Sequence, residues 1–235
     1  MRVGLLADIH GNAPALEAVL RDPAMSEVDQ LIILGDLVGY YFWPAEVLAA
    51  LEPLAPVIVR GNHEDMLAEA AADPAAAVRI AQQYGSGIDV ALQSLSSDQL
   101  AQLVELPHPV VIEAGDAVIV ASHGSPADID RYVYPTSTDA ELAQIAEPRT
   151  GVRRYIAMGH THHPMTRTVG EVTLVNPGSV GQPRNRVPGA HWAILDTDTG
   201  ETIFRVEDYD VDLVVREAVR RHPDIPYLHD VLVRT

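Results

Sequence analysis

The chain has 235 residues, 47% of them apolar, and a formal net charge of −17 from 33 acidic and 16 basic side chains. With no cysteine, it excludes disulfides, thiolate-ligated metals, iron–sulfur clusters and a thiol nucleophile. Its acidity argues against an extended nucleic-acid surface or contact with an anionic membrane. Apolar runs such as Leu31–Leu34 are too short to span a bilayer. The carboxylate of Asp8 comes too early for a signal peptide, so a cytoplasmic location is expected.

The spacing of apolar residues predicts strands alternating with helices. Arg2–Ala7 reads as a strand, and Ala13–Leu20 as a helix capped by Asn12. Strands at Leu31–Leu34 and Val57–Val59 flank a helix near Pro44–Leu51. The Ala-rich stretch Glu64–Tyr84 is helical with a break at Asp73-Pro74, and short helices follow at Ser86–Leu95 and Ser97–Val104. β-Branched runs at Pro109–Glu113 and Ala117–Ala121 predict a hairpin, followed by a helix at Thr138–Ala146. Further strands are expected at Tyr155–Met158, Val172–Val175, Ala190–Asp196 and Glu201–Val206, the last two joined at Asp198-Thr199-Gly200. Val211–Arg221 is a closing helix. A βαβα half giving way to hairpins makes this an α/β protein, with one mixed sheet or two packed sheets. No linker or repeat interrupts it, so residues 1–235 are expected to form a single domain.

The conspicuous polar residues each follow an apolar strand. Asp8 and His10 follow the first, Asp36 the second, and Asn62, His63 and Glu64 the third; His123 and the pair His160, His162 follow two later ones. Ligands of open α/β sheets bind at strand carboxyl ends, so these loops are expected to converge on one crevice. Asp8, His10, Asp36, Asn62, His123, His160 and His162 supply carboxylate, imidazole and amide donors that suit Mn²⁺, Fe, Ni²⁺ or Zn²⁺. Seven donors are too many for one ion with open positions and about right for two sharing a carboxylate. Strand alternation would put both side chains of Asp8-x-His10, and both of His160-x-His162, on one face. Taken singly, a strand-end Asp is more often a cap than a ligand, and Gly35-Asp36 is only a turn signal; the weight lies in their joint occurrence. His108, His222 and His229 lack this context and read as surface residues. The aromatic run Tyr40–Trp43 reads as core or interface packing, ahead of lining a substrate mouth.

Asp8-Ile9-His10, Gly35-Asp36, Gly61-Asn62-His63-Glu64, His123-Gly124 and Gly159-His160-Thr161-His162 resemble, in order, the signature of calcineurin-like metallophosphoesterases. Asn176-Pro177-Gly178-Ser179 is similar to a further loop of their small bacterial and archaeal phosphodiesterase branch. The resemblance implies a four-layer αββα sandwich, two mixed sheets flanked by helices, with a dimetal site at strand C-terminal ends. It implies that Asp8, His10 and His162 hold one metal, that Asn62, His123 and His160 hold the other, and that Asp36 bridges them. His63 would be the catalytic non-ligand beside the scissile phosphate.

Two divalent ions about 3.5–4 Å apart, most naturally Mn²⁺, would clamp phosphoryl oxygens and activate a bridging hydroxide. Two carboxylates cancel only about two of their four positive charges, leaving a site attractive to a small phosphate ester despite the acidic surface. Glu64 or Asp65 is a candidate to orient His63. Arginine is missing after Asp36, where phosphoprotein phosphatases and dinucleoside tetraphosphatases generally carry one, and Arg184 is a candidate substitute clamp. The expected function is therefore metal-dependent hydrolysis of phosphodiesters such as cyclic nucleotides. The alternatives are a serine/threonine phosphatase-like or dinucleoside polyphosphate hydrolase, and a non-catalytic scaffold on the same fold. A homo-oligomer is compatible with the sequence, with Tyr40–Trp43 and Tyr227–Thr235 as candidate contact surfaces.

Overall fold

The computed structural model describes residues 1–146 and 153–235. Strand β1 (Arg2–Leu6) leads through α1 (Ala13–Arg21) to β2 (Gln30–Ile33), then through α2 (Pro44–Leu51) to β3 (Val57–Ile58). A helical run follows: α3 (Asn62–Ala72), α4 (Pro74–Tyr84), α5 (Gly87–Ser94) and α6 (Ser97–Val104). Next come β4 (Val110–Ala114), β5 (Ala117–Ala121), α7 (Asp139–Ala143), β6 (Arg153–Ala157), β7 (Met165–Val169) and β8 (Val172–Asn176). The chain ends with β9 (Ala190–Asp196), β10 (Thr202–Glu207), α8 (Val211–Arg221) and α9 (Tyr227–Val233).

The strands form two mixed five-stranded sheets, ordered β10-β9-β1-β2-β3 and β4-β5-β6-β8-β7. The choice between one sheet and two is thereby resolved. In the first, β1, β2 and β3 are parallel and β9 runs against β1; in the second, β5, β6 and β8 are parallel, with β4 and β7 antiparallel at the edges. Alternation along β1 explains the stacking. Val3, Leu5 and Ala7 face the other sheet, where they meet Ile119, Ala121, Tyr155 and Ala157. Leu6 faces the helices, in a cluster with Leu16, Val19, Val47 and Trp192. Burial on both faces is why these strands read as unbroken apolar runs. Outside the second sheet, Val120, Ile156 and Leu174 pack with Val133, Leu142 and Ile145, so α7 and its neighbouring loops cover that face.

Local signals act as expected at several boundaries. The Asn12 side chain accepts from Ala15 N at 3.2 Å and starts α1. Asp73 separates α3 from α4 and caps the latter, accepting from Ala75 N at 2.9 Å, while Pro74 occupies the first turn. Two elements were not foreseen. β7 alternates, with Thr166 and Thr168 outward and Met165, Arg167 and Val169 on the more buried face, an edge pattern that its apolar content barely marks. α9 is seven residues long, too short to establish a helical period. It buries Leu228, Val231 and Leu232 against Tyr41, Phe42 and Val214 and leaves Tyr227 and Val233 exposed.

Because three parallel strands of each sheet point the same way, the loops leaving them meet at one end of the sandwich. Backbone hydrogen bonds join loops of the two sheets there: Val180 N donates to Ala7 O at 3.0 Å and Gly181 N to Asp8 O at 3.0 Å. The His123 ring bonds Leu34 O at 2.7 Å.

Candidate metal centre

Asp8, His10, Asp36, His160 and His162 leave their strands in left-handed backbone conformation, with φ of +54°, +53°, +57°, +67° and +60°. Strand alternation therefore does not bring the side chains of Asp8 and His10, or of His160 and His162, together, since each pair lies beyond its strand end. The sharp backbone turns do. Such φ values are unfavourable by roughly 1 kcal/mol or more per non-glycine residue, and hydrogen bonds hold them: Asp8 N to Gly35 O at 3.1 Å, His10 N to Asp36 O at 2.9 Å. Gly61 is required at its position because a Cβ would fall onto the Asp36 carboxylate and backbone N. Gly39, at φ +93°, leaves room for the His63 ring.

All seven predicted donors converge in one buried cluster. Asp8, His10 and His123 are fully buried, and Asp36 and His162 nearly so. His10 Nε2 lies 3.2 Å from His162 Nε2, and His162 Nε2 lies 3.4 Å from Asp8 Oδ1. On the other side, His160 Nδ1 lies 3.1 Å from both Asn62 Oδ1 and His123 Nε2, and His123 Nε2 is 2.9 Å from Asn62 Oδ1. Asp36 Oδ2 stands between the two groups, 3.7 Å from His10 Nε2 and 3.3 Å from His123 Nε2.

Carbonyl oxygens fix the tautomers. His10 Nδ1 meets Val38 O at 3.2 Å, His162 Nδ1 meets Gln182 O at 2.5 Å and His123 Nδ1 meets Leu34 O at 2.7 Å. A carbonyl only accepts, so each Nδ1 carries a proton, and in the neutral ring the lone pair then sits on Nε2, turned inward. Burial lowers the pKa of His10 and His162, keeping both neutral. Their facing lone pairs therefore repel one another unless a cation lies between them. Around His123, burial disfavours the charged ring, but the carboxylates of Asp36 and Asp8 dominate and raise its pKa to about 10. Burial likewise opposes ionisation of Asp36, and the surrounding imidazoles, His123 first, nonetheless hold its carboxyl well below the usual range. A proton on His123 and a cation among the donors are two ways of supplying the same positive charge. Imidazole, carboxylate and amide oxygen are the donors of divalent transition ions, so these residues fit a metal.

The supporting residues differ in part from expectation. Glu64 does not orient His63. Its carboxylate accepts from Asp36 N at 2.9 Å, Leu37 N at 2.8 Å and Gly61 N at 2.8 Å, which locks the Asp36 loop to the start of α3. Burial and the neighbouring Asp36 push Glu64 up to about 7, against the pull of these N–H groups. Asp65 is turned outward to Arg60 Nε at 3.1 Å. His63 is buried with its Nδ1 unpaired, and its Nε2 lies 4.0 Å from Asp36 Oδ2. Burial lowers its pKa to about 4. His108 is no free surface residue: its Nε2 accepts from His123 N at 3.0 Å. His222 is likewise engaged, 2.8 Å from Ser86 Oγ and stacked on Phe42. Tyr41 and Phe42 join the core, whereas Tyr40 packs its ring against His10 and His63 and lines the site's cavity with Arg184. Gln182, which sequence reasoning passed over, presents its carbonyl to His162, and only the Pro-Gly-Ser turn upstream marked its loop.

The cavity over the cluster is about 50 Å³, bounded by Asp36, His63, Tyr84, Tyr132, His160 and Arg184 among others. At about 10–15 Å³ of such space per water, it is large enough for a phosphoryl-sized group.

Residues 1–200 match the calcineurin-like phosphoesterase superfamily domain. The chain is 27% identical over 238 residues to the uncharacterized protein MJ0912 of Methanocaldococcus jannaschii, covering 93% of this chain and 90% of that one. It is 24% identical over 212 residues to phosphodiesterase YfcE of Escherichia coli, covering 84% and 89%. Among solved structures, a metallophosphoesterase from Sphaerobacter thermophilus superposes with a TM-score of 0.76 at 28% identity, covering 100% and 99% of the two chains. The hypothetical protein PH1004 from Pyrococcus horikoshii superposes at 0.86 with 24% identity, covering 99% and 98%, a likeness of fold.

Proposed function

Because the chain belongs to the calcineurin-like phosphoesterase superfamily, we propose that it is a dinuclear metal-dependent hydrolase of small phosphodiesters. The observation that carries this reading is the pair of donor groups with lone pairs turned inward and Asp36 between them. Asp8, His10 and His162 would hold one ion, Asn62, His123 and His160 the other, and Asp36 both. The phosphodiesterase named among its relatives favours a diester, as does the lack of an arginine after Asp36. Mn²⁺ is the metal we expect, in a cytoplasmic enzyme formed by the whole chain as one domain.

When bound, the paired ions supply positive charge to the phosphoryl oxygens and lower the pKa of water. The chain's own residues do the rest. Val38, Leu34 and Gln182 carbonyls hold three imidazoles in the tautomer and orientation that present Nε2. Glu64 fixes Asp36 and α3 relative to each other, so that Asn62 and His63 project together. Nδ1 of His63 packs against Gly39, which leaves Nε2 to donate a proton or hydrogen bond to the leaving oxygen. The shallow cavity takes the phosphoryl group and leaves the ester arms at the rim beside Tyr132.

Elemental analysis of the purified protein, joined to assays on an aryl phosphodiester, an aryl phosphomonoester and a dinucleoside polyphosphate, tests the proposal. Two metal equivalents per chain with preferential diester hydrolysis is the expected result. A metal-loaded protein that hydrolyses none of them would overturn it.

A further inference from the structure

Arg184 is a half-buried cation whose direct hydrogen-bond partners are all neutral. Its guanidinium is held by neutral acceptors: Nη2 donates to Tyr40 Oη at 3.1 Å and to Gln182 Oε1 at 3.1 Å, and Nε to the same Gln182 oxygen at 3.3 Å. Among the described residues no carboxylate comes within 4.0 Å of it. Arg60, Arg79, Arg167 and Arg205, by contrast, each meet a carboxylate. Withdrawing a charge from water without pairing it is unfavourable, so the arrangement is stable at a cost that an incoming anion would offset.

The side chain is aimed, not loose. It lines the same cavity as Asp36, Asn62, His63, His160 and His162. Its loop is built together with the metal-donor cluster. Gln182 gives its carbonyl to His162 and its amide oxygen to Arg184. Ser179 Oγ bonds Asp8 O at 2.8 Å and accepts from Gln182 N at 2.7 Å. Arg184 N bonds His162 O at 3.4 Å, and Arg234 from the C-terminus donates to Arg184 O at 3.4 Å.

We propose that Arg184 is a substrate-binding residue that grips a non-bridging phosphoryl oxygen of the ester in the cavity it shares with the metal donors. The planar fork suits a tetrahedral oxyanion, and Tyr40 and Gln182 orient it without cancelling its charge. This places in the loop after β8 a function that no residue following Asp36 supplies. The inference rests on the phosphoesterase reading, and its test separates the two.

Wild type, Arg184→Gln and Arg184→Lys are compared, with Arg186→Gln as the control from the same loop, since Arg186 is exposed and, among the described residues, donates to Thr235 O alone. Two quantities are read on Mn²⁺-loaded protein of matched metal content: the dissociation constant of radiolabelled inorganic phosphate by equilibrium dialysis, and kcat and KM on an aryl phosphodiester. A charge-assisted grip predicts about ten- to a hundredfold weaker phosphate binding in Arg184→Gln, a matching rise in KM, partial recovery in Arg184→Lys and no change in Arg186→Gln. Phosphate binding lost in Arg184→Gln from a wild type that hydrolyses nothing supports the grip while sinking the phosphoesterase reading. Unchanged phosphate affinity and KM in Arg184→Gln, or a wild type that binds no phosphate, overturns the inference.

Discussion

Glu64 and His63 are adjacent in sequence and separable in effect. Glu64 spends its carboxylate on the backbone N–H groups of Asp36, Leu37 and Gly61. In Glu64→Gln the amide NH₂ must face a donor, and the charge that strengthens these bonds is lost. We expect destabilisation of about 1–3 kcal/mol, read from urea unfolding, together with weaker metal retention on dialysis. An isostable Glu64→Gln would mean that the loop does not depend on this carboxylate. His63, which holds no inward-facing bond of that kind, should behave oppositely. His63→Ala should keep its metal content and unfolding midpoint near wild type while turnover falls about 10²- to 10⁴-fold. Full turnover in a fully metallated His63→Ala would remove the ring from the chemistry.

Among the elements, those facing the core were the ones legible in the sequence. β1, β2, β5 and β6 announce themselves by apolar runs, and the polar residues after them mark the site, because burial on both sides forces hydrophobic content. What the sequence hid depends on partners far along the chain. The bond from His123 N to His108 joins loops on either side of a hairpin, and nothing in Pro107-His108-Pro109 marks it. The carbonyls of Leu34, Val38 and Gln182 that select tautomers are backbone atoms, which carry no sequence signal. Strand alternation does not account for the pairing of Asp8 with His10 or of His160 with His162; the left-handed turns that do so are rare outside glycine and not readable from composition. α9 was missed for its shortness, yet it is a structural element. Tyr41 Oη donates to Leu228 O at 3.0 Å, and the Leu228 side chain is fully buried. Leu228→Ala should cost about 2–5 kcal/mol in urea unfolding, and an effect below 0.5 kcal/mol, within the range of ordinary surface substitutions, would show α9 to be peripheral.

Across the whole molecule, a charge of −17 coexists with a centre whose buried donors call for cations. Each ion bound only by the folded chain stabilises it by mass action, about 2.7 kcal/mol at a hundredfold excess over its dissociation constant. Removing two by chelation should therefore lower the thermal midpoint by roughly 10–20 °C for a chain of this size, and readdition of Mn²⁺ should restore it. A midpoint indifferent to chelator would argue that protons alone neutralise the cluster. Calorimetric scans with and without chelator decide between them.

The shared direction of the parallel strands has one more outcome. If the loops after β1, β2, β3, β5, β6 and β8 gather at one pole, then the tight turns at Gly115, Gly170 and Gly200, and the chain start at Met1 beside Asp198, gather at the other. A Cβ placed at Gly170, whose φ is +60°, would meet no neighbour within 4 Å. That pole is a natural graft point: a peptide tag or fluorophore-bearing insert placed there would immobilise or report on the molecule while leaving its working face turned toward solution.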